Sequence, residues 1–297
     1  SIGVRFDDRV TGNVEKFAPH AKIIHMDIDP AAISKIIEVD IPVVGDAKNI
    51  LTELNKIVVA GEYTEWNNQV LKWKEKYELS YKKSDDILKS QQVIEAIYNE
   101  TNGDAVVTTE VGQNQMWTAH YYRFNKPRTL LTSGGLGTMG YGMPAAMGAA
   151  LALNKPVIDI AGDGSIQMNI QELATISLNS IPVKIVILNN SYLGMVRQWQ
   201  ELFFDRRYSS TCLRSDSNCI CVDPSKCTKK YIPDFVELAR SYKIPAFRAE
   251  RPSELLSVIK EGLRIDGPAL MEFIVAQEEN VFPMVPAGKP LDKILEE

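Results

Sequence analysis

Two short apolar runs, each followed by a polar segment that opens a helix, organise the first sixty residues. KIIHMDID (22–29) has a buried-strand pattern with a helix predicted to open at Pro30, and PVVGD (42–46) repeats the scheme with a helix over 47–60. Together they predict the trailing half of a doubly wound domain. Between Glu65 and Lys83 the pattern becomes a Trp- and Lys-rich amphipathic helix, WNNQVLKWKEKYELSYKK, read as a solvated connector. From about Lys89 onward, continuous apolar stretches at 105–109, 129–132, 157–161, 183–188, 246–249 and 269–275 alternate with helical segments. Strands that are apolar on both faces and joined by helices predict a parallel sheet covered on each side, an α/β fold. Such sheets bind ligands outside the carboxyl ends of their strands.

Composition narrows the function classes. The 297 residues suffice for about two domains, and 45% hydrophobic content supports a well-buried core. A net charge of −5, with lysines scattered among glutamates, offers no basic face for nucleic acid or anionic membrane. Apolar runs stay below the ~18 residues of a membrane span. The start SIGVRF carries no methionine and no charged-then-apolar leader, so the expectation is a soluble, cytoplasmic chain that forms the C-terminal part of a longer polypeptide.

TLLTSGGLGTMGYGMPAAMG (129–148) contains G-x-G-x-x-G at Gly135, Gly137 and Gly140, with Asp159 about 20 residues on, as in a dinucleotide fingerprint. Asp159, however, lies inside VIDIAG, and that strand runs on into a second glycine turn, Gly162-Asp163-Gly164-Ser165. The next strand ends in Asn189-Asn190, with Asn190 27 positions after Asp163. A carboxylate and a carboxamide from neighbouring parallel strands are hard oxygen ligands suited to Mg²⁺, which keeps part of its shell for phosphate oxygens. The flanking glycines admit an anion, and a helix predicted to open at Ser165 points its free N–H groups at it. The combination points to a metal-bridged diphosphate and leaves the dinucleotide reading without support.

The spacing GDG…NN resembles the thiamine diphosphate motif. Further words, VGQNQMW (111–117), TSGGLGTMGYGMPAA (132–146), GMVRQWQELFF (194–204) and PMVPAG (283–288), resemble the catalytic subunit of acetolactate synthase; GVRFDDRVTG (3–12) and HMDIDPAAI (25–33) resemble that family's central domain. The resemblance implies a thiamine diphosphate-binding fold of parallel, doubly wound sheets, preceded by part of a Rossmann-like central domain. It divides the chain into a partial, FAD-associated central domain (1–62), a connector helix (63–88) and a diphosphate- and Mg²⁺-binding domain (89–297). It also implies that the family's first domain, with the glutamate that protonates the aminopyrimidine, lies outside this chain, so that the fragment binds cofactor better than it turns over substrate.

Carried over by position, Asp163, Asn190 and the backbone carbonyl of Tyr192 would hold Mg²⁺. Gln113, Asn114, Gly137, Met139, Gly164, Ser165, Leu193 and Met195 would line thiamine diphosphate, Met139 wedging beneath its two rings. Met139, Leu193, Met195, Val196 and Trp199 resemble the substrate pocket, with Trp199 expected to select the acceptor. Arg5, Asp27 and Asp46 match positions beside the family's FAD. The implied reaction decarboxylates pyruvate and adds the two-carbon unit to pyruvate or 2-oxobutyrate, in a homodimer or larger assembly, with a regulatory small subunit as a further partner. In a eukaryote the implied compartment is a plastid or mitochondrion. One departure stands out: Asn114 replaces the family's usual histidine beside the diphosphate, donating a hydrogen bond without charge. A related 2-oxo-acid decarboxylase or oxidase would share GDG…NN without GMVRQWQ, and a cofactor-binding fragment would be idle without its first domain.

Residues 212–231 interrupt the resemblance and hold all four cysteines, Cys212, Cys219, Cys221 and Cys227. C-x6-C-x-C-x5-C is not the paired C-x2-C of a zinc ribbon, and a reduced loop, disulfides and a metal remain open readings.

Overall fold

The computed structural model describes residues 1–214 and 233–296. They divide into two compact units, 1–78 together with 282–297, and 79–281. Residues 282–297, read from sequence with the second domain, therefore group with the first. Cys219, Cys221 and Cys227 lie outside the described residues.

In the first unit, β1 (Ile24–Asp27) and β2 (Ile41–Val44) pair in parallel, with Ile24 opposite Ile41 and Asp27 opposite Val44. Helix α1 (Asp8–Thr11) is capped by Asp7 and α2 (Ala47–Leu54) by Asp46, whose carboxylates accept from Arg9 N and Asn49 N. Helix α3 (Thr64–Lys76) buries none of its residues, as a connector pattern implies. Three predicted helices are shorter than their patterns, the connector among them, since α3 ends at Lys76 while its pattern runs on to Lys83. Pro30 opens a single 3₁₀ turn, Pro30–Ala32, and α2 stops at Leu54, short of the β-branched run Ile57-Val58-Val59. The tail docks through Asn13 N to Lys289 O (3.0 Å).

The second unit is a six-stranded, wholly parallel sheet: β3 (Val106–Thr109), β4 (Leu130–Thr132), β5 (Val157–Gly162), β6 (Val183–Asn189), β7 (Ala246–Ala249) and β8 (Ala269–Ile274), in the order β4-β3-β5-β6-β8-β7. Each stands within a residue of its predicted bounds. Helices α4 (Ser90–Thr101), α5 (Gln113–Tyr121) and α10 (Leu255–Arg264) cover one face; α6 (Gly142–Leu153), α7 (Glu172–Leu178) and α9 (Phe235–Ser241) cover the other. Alternation assigns the layers: Ile158, Ile160, Val186 and Leu188 enter the first core, while Val157, Ala161, Ile185 and Ile187 enter the second. The chain leaves β3 for β4 on one side and returns to β5 on the other. The carboxyl ends of β3 and β5 therefore flank a topological switch point, where a crevice opens.

Candidate functional site

A cavity of about 250 Å³ occupies that crevice. Its walls include Gln113, Asn114, Gly137, Met139, Asp163, Gly164, Ser165, Asn190, Tyr192, Leu193, Met195 and Val196. Trp199 lies outside its lining. It is 41% exposed on α8 (Gly194–Phe203) and meets Phe203 edge-on, ring centres 6.2 Å apart.

Asp163 and Asn190 stand just past the ends of the adjacent strands β5 and β6, which pair with each other as far as Gly162 and Leu188. The buried Asp163 carboxylate accepts from Gly164 N (2.9 Å) through Oδ1 and from Ser191 N (2.6 Å) through Oδ2. Burial pushes this carboxyl up to about 7, against the pull of the Ser191 and Gly164 amides. Asn190 Oδ1 accepts from Tyr192 N (3.0 Å), and its Nδ2 donates to Gln113 Oε1 (3.4 Å). Beneath, Asn189 bonds Glu272 Oε1 through Nδ2 (2.7 Å) and accepts from Ser191 N (3.0 Å), which fixes Ser191 at φ 61°. Ser191 and Leu193 are further stitched to the segment at Cys212: Leu193 N donates to Thr211 O and Leu213 N to Ser191 O, each at 2.9 Å.

The turn after Asp163 departs from the sequence expectation. In place of a helix opening at Ser165, a 3₁₀ turn (Ile166–Asn169) follows and α7 begins only at Glu172. Ser165 Oγ accepts from Gly162 N and donates to Gly162 O, both at 3.2 Å, closing the loop on itself. Among the described residues no three His, Cys, Asp or Glu side chains gather as a metal cluster. A dication here would rely on one carboxylate, a carboxamide, a main-chain carbonyl and phosphate oxygens, which is a donor set suited to Mg²⁺.

Asn114 does not donate into the cavity. Its Nδ2 is spent on the carbonyls of Glu110 (3.0 Å) and Ile160 (2.9 Å), and two carbonyl partners fix the amide so that Oδ1 is the atom beside Gly112 and Gly162. The side chain ties the end of β3 to β5 instead of reaching a phosphate.

Glu110 was not singled out by the sequence. Its buried carboxylate accepts from Gly140 N (2.6 Å) and Met143 N (3.2 Å) at the start of α6. The anion position at the end of G-x-G-x-x-G is thus filled by the chain's own carboxylate. Beside it Asp159, fully buried, accepts from Thr108 Oγ1 (2.9 Å) and leaves Oδ2 without a hydrogen-bond partner. Burial, then the nearby Glu110, holds the Asp159 carboxyl well above the carboxylate range; burial also raises Glu110. A carboxyl whose folded pKa is raised stabilises the fold fully below its unfolded pKa, near ~4, and loses that contribution as pH rises toward the folded value. Asp159→Asn keeps the acceptor for Thr108 and removes the titration. The variant should match the parent near pH 4.5 and exceed it at pH 8, by at most ~1.4 kcal/mol per pH unit. Urea titrations at both pH values check this, and an advantage independent of pH would contradict it.

In the first unit, Asp27 ends β1 and accepts from Asp29 N (2.9 Å), while Asp46 follows β2 as a helix cap. Arg5 turns to Asp7 (3.1 Å). Two carboxylates past adjacent parallel strands suit hydroxyl groups of a ribose or ribitol. No helix among the described residues is long and apolar enough to cross a membrane.

Fold and site define a parallel α/β domain with a cavity at its switch point, lined at the strand ends by Asp163 and Asn190. Residues 110–273 match the family described as thiamine pyrophosphate enzyme, C-terminal TPP binding domain, and residues 1–54 match the thiamine pyrophosphate enzyme central domain. The chain belongs to the thiamine pyrophosphate enzymes. It is 45% identical to the acetolactate synthase large subunit of Corynebacterium glutamicum, over 97% of this chain and 45% of that protein. It is 42% identical to the Haemophilus influenzae large subunit (99% and 50%) and 41% identical to the chloroplastic acetolactate synthase 1 of Oryza sativa subsp. japonica (97% and 44%). The resemblance read from the sequence words is thereby borne out. The chain spans about half the length of these relatives or slightly less.

Proposed function

We propose that this chain forms the diphosphate- and Mg²⁺-binding part of an acetolactate synthase, acting on pyruvate and a second 2-oxo acid. The observation that carries the reading is the placement of Asp163 and Asn190 past adjacent strands on one cavity wall. In this reading Asp163, Asn190 and the Tyr192 carbonyl hold Mg²⁺, and Gly164 and Ser165 border the diphosphate. Bound thiamine diphosphate supplies an electron sink for cleaving the bond between the carboxylate and carbonyl carbons of a 2-oxo acid. Gly137 and Met139 support its rings, Gln113 holds the Asn190 amide, and Leu193, Met195 and Val196 form the apolar wall that excludes water from the reacting carbon. Arg5, Asp27 and Asp46 would face FAD, with the two aspartates as hydroxyl acceptors. A homodimer, and a regulatory small subunit as its partner, belong to the same proposal, resting on likeness to the relatives.

The test supplies the chain with the N-terminal half of a relative, Mg²⁺ and thiamine diphosphate, and measures products from pyruvate with and without 2-oxobutyrate. Acetolactate and acetohydroxybutyrate are the expected products; release of acetaldehyde alone would favour a simple 2-oxo-acid decarboxylase. In the same assay, Trp199→Leu should lower the preference for 2-oxobutyrate by roughly tenfold, ~1.4 kcal/mol, while acetolactate formation persists. The exposure of Trp199, beyond the cavity lining, leaves its indole free to meet an acceptor's alkyl end. An unchanged ratio would show that Trp199 does not select the acceptor.

A further inference from the structure

We propose that Glu110 is a positioning residue for Met139, holding the glycine-rich loop so that its methionine faces the cavity; the inference rests on the cofactor reading above. The loop between β4 and α6 is pinned at its first end by Gly137 N to Ser133 O (3.1 Å) and Thr138 N to Ser133 Oγ (3.0 Å). At its far end the anchors are the Glu110 carboxylate, bound by Gly140 N and Met143 N, and Asn169 Nδ2, which donates to Gly140 O (2.6 Å). Met139 sits between these ends, flanked by Gly137 at φ 67° and Gly140 at φ 88°. Two left-handed glycines give the segment little stiffness of its own, so the position of Met139 depends on where its ends are tied. Glu110 is suited to the task. It is buried, its backbone N is bonded to Ile160 O (3.1 Å) and its carbonyl to Asn114, so the carboxylate projects from a point fixed to both β3 and β5. Buried N–H groups that lost this acceptor would have to move to find another.

Glu110 does not line the cavity, whereas Asp163, Gly164 and Asn190 do. Its loss should therefore weaken contacts to the rings of the cofactor and spare those to its diphosphate. Calorimetry on this chain with Mg²⁺ separates the two, using thiamine diphosphate and inorganic pyrophosphate as ligands. Glu110→Gln replaces one acceptor oxygen with a donor facing N–H groups. It should weaken thiamine diphosphate at least tenfold and change pyrophosphate less than twofold. Glu110→Asp, with the charge retained on a shorter stem, should fall between; it carries the test if the Gln variant fails to fold. In a Met139→Ala background, Glu110→Gln should cost thiamine diphosphate affinity nothing further. Equal loss for both ligands would make Glu110 merely structural and overturn the proposal, as would an unchanged thiamine diphosphate affinity or full additivity with Met139→Ala. Failure of the parent chain to bind either ligand would instead sink the cofactor reading itself.

Discussion

Asp163→Ala should abolish Mg²⁺-dependent binding of thiamine diphosphate, with affinity falling at least 100-fold while the fold survives. Among the ligands this chain itself would supply only Asp163 carries charge; Asn190 and the Tyr192 carbonyl are neutral oxygens. A dication in a buried crevice needs a fixed countercharge, because a neutral donor set leaves most of its desolvation uncompensated. The cost to folding is smaller. Gly164 N loses its acceptor, about 1 to 3 kcal/mol if the amide is left dry, whereas Ser191 N keeps Asn189 Oδ1, and the removed carboxyl is one that burial already pushed up to about 7. Asp163→Asn, which keeps one acceptor oxygen, separates the two effects: it should recover stability and not affinity. Calorimetry with and without Mg²⁺, alongside a melting curve, makes the measurement. Unchanged affinity in the Ala variant would dismiss Asp163 as a ligand.

Much of this site could be read from sequence because its parts lie at strand ends. A strand apolar on both faces has one register in a covered parallel sheet, so the six runs located β3 to β8, and the residues after β5 and β6 had to share a rim. Polar residues that face inward defeated the same reasoning. On α8, Arg197 and Gln198 are fully buried, while Val196 and Trp199 are exposed. The inner side of that helix meets main-chain groups of the 279–281 segment. Gln198 Nε2 donates to Val281 O (3.1 Å) and Arg197 to Glu279 O (3.2 Å), so donors are required there and apolar side chains would leave carbonyls unpaired. Glu272 was hidden in the apolar run of β8 for a related reason. It is neutralised by Arg248 from the neighbouring strand (2.7 Å), a pairing that local sequence does not reveal. Asn114 lines the cavity, but the sequence does not reveal that the carbonyls of Glu110 and Ile160 take up its amide, since only the fold brings β5 beside it.

The glycine-rich word yields the other large expected effect. Gly142→Ala should destabilise the chain by about 3 kcal/mol or more, whereas Gly148→Ala on the same helix should stabilise it by ~0.5 to 1 kcal/mol. Both glycines lie in α6, and neither has a positive φ. Propensity alone therefore favours alanine at both sites. Packing separates them. A Cβ at Gly142 would lie 2.4 Å from Asp159 Oδ1, 2.6 Å from Glu110 N and 2.7 Å from Thr109 C, and two of those atoms are backbone at the end of β3. Helix and strand would have to part, breaking the Glu110 cap as they did so. At Gly148 nothing lies within 4 Å, and only the conformational entropy of the unfolded chain changes. Urea titration of the two variants measures the contrast. Gly142 would then stand, six residues from a position on the same helix where alanine is welcome, as the point at which α6 must touch the strand carrying Glu110. A stable Gly142→Ala chain would mean that α6 does not approach β3 so closely, and the explanation for the filled anion position would fall with it.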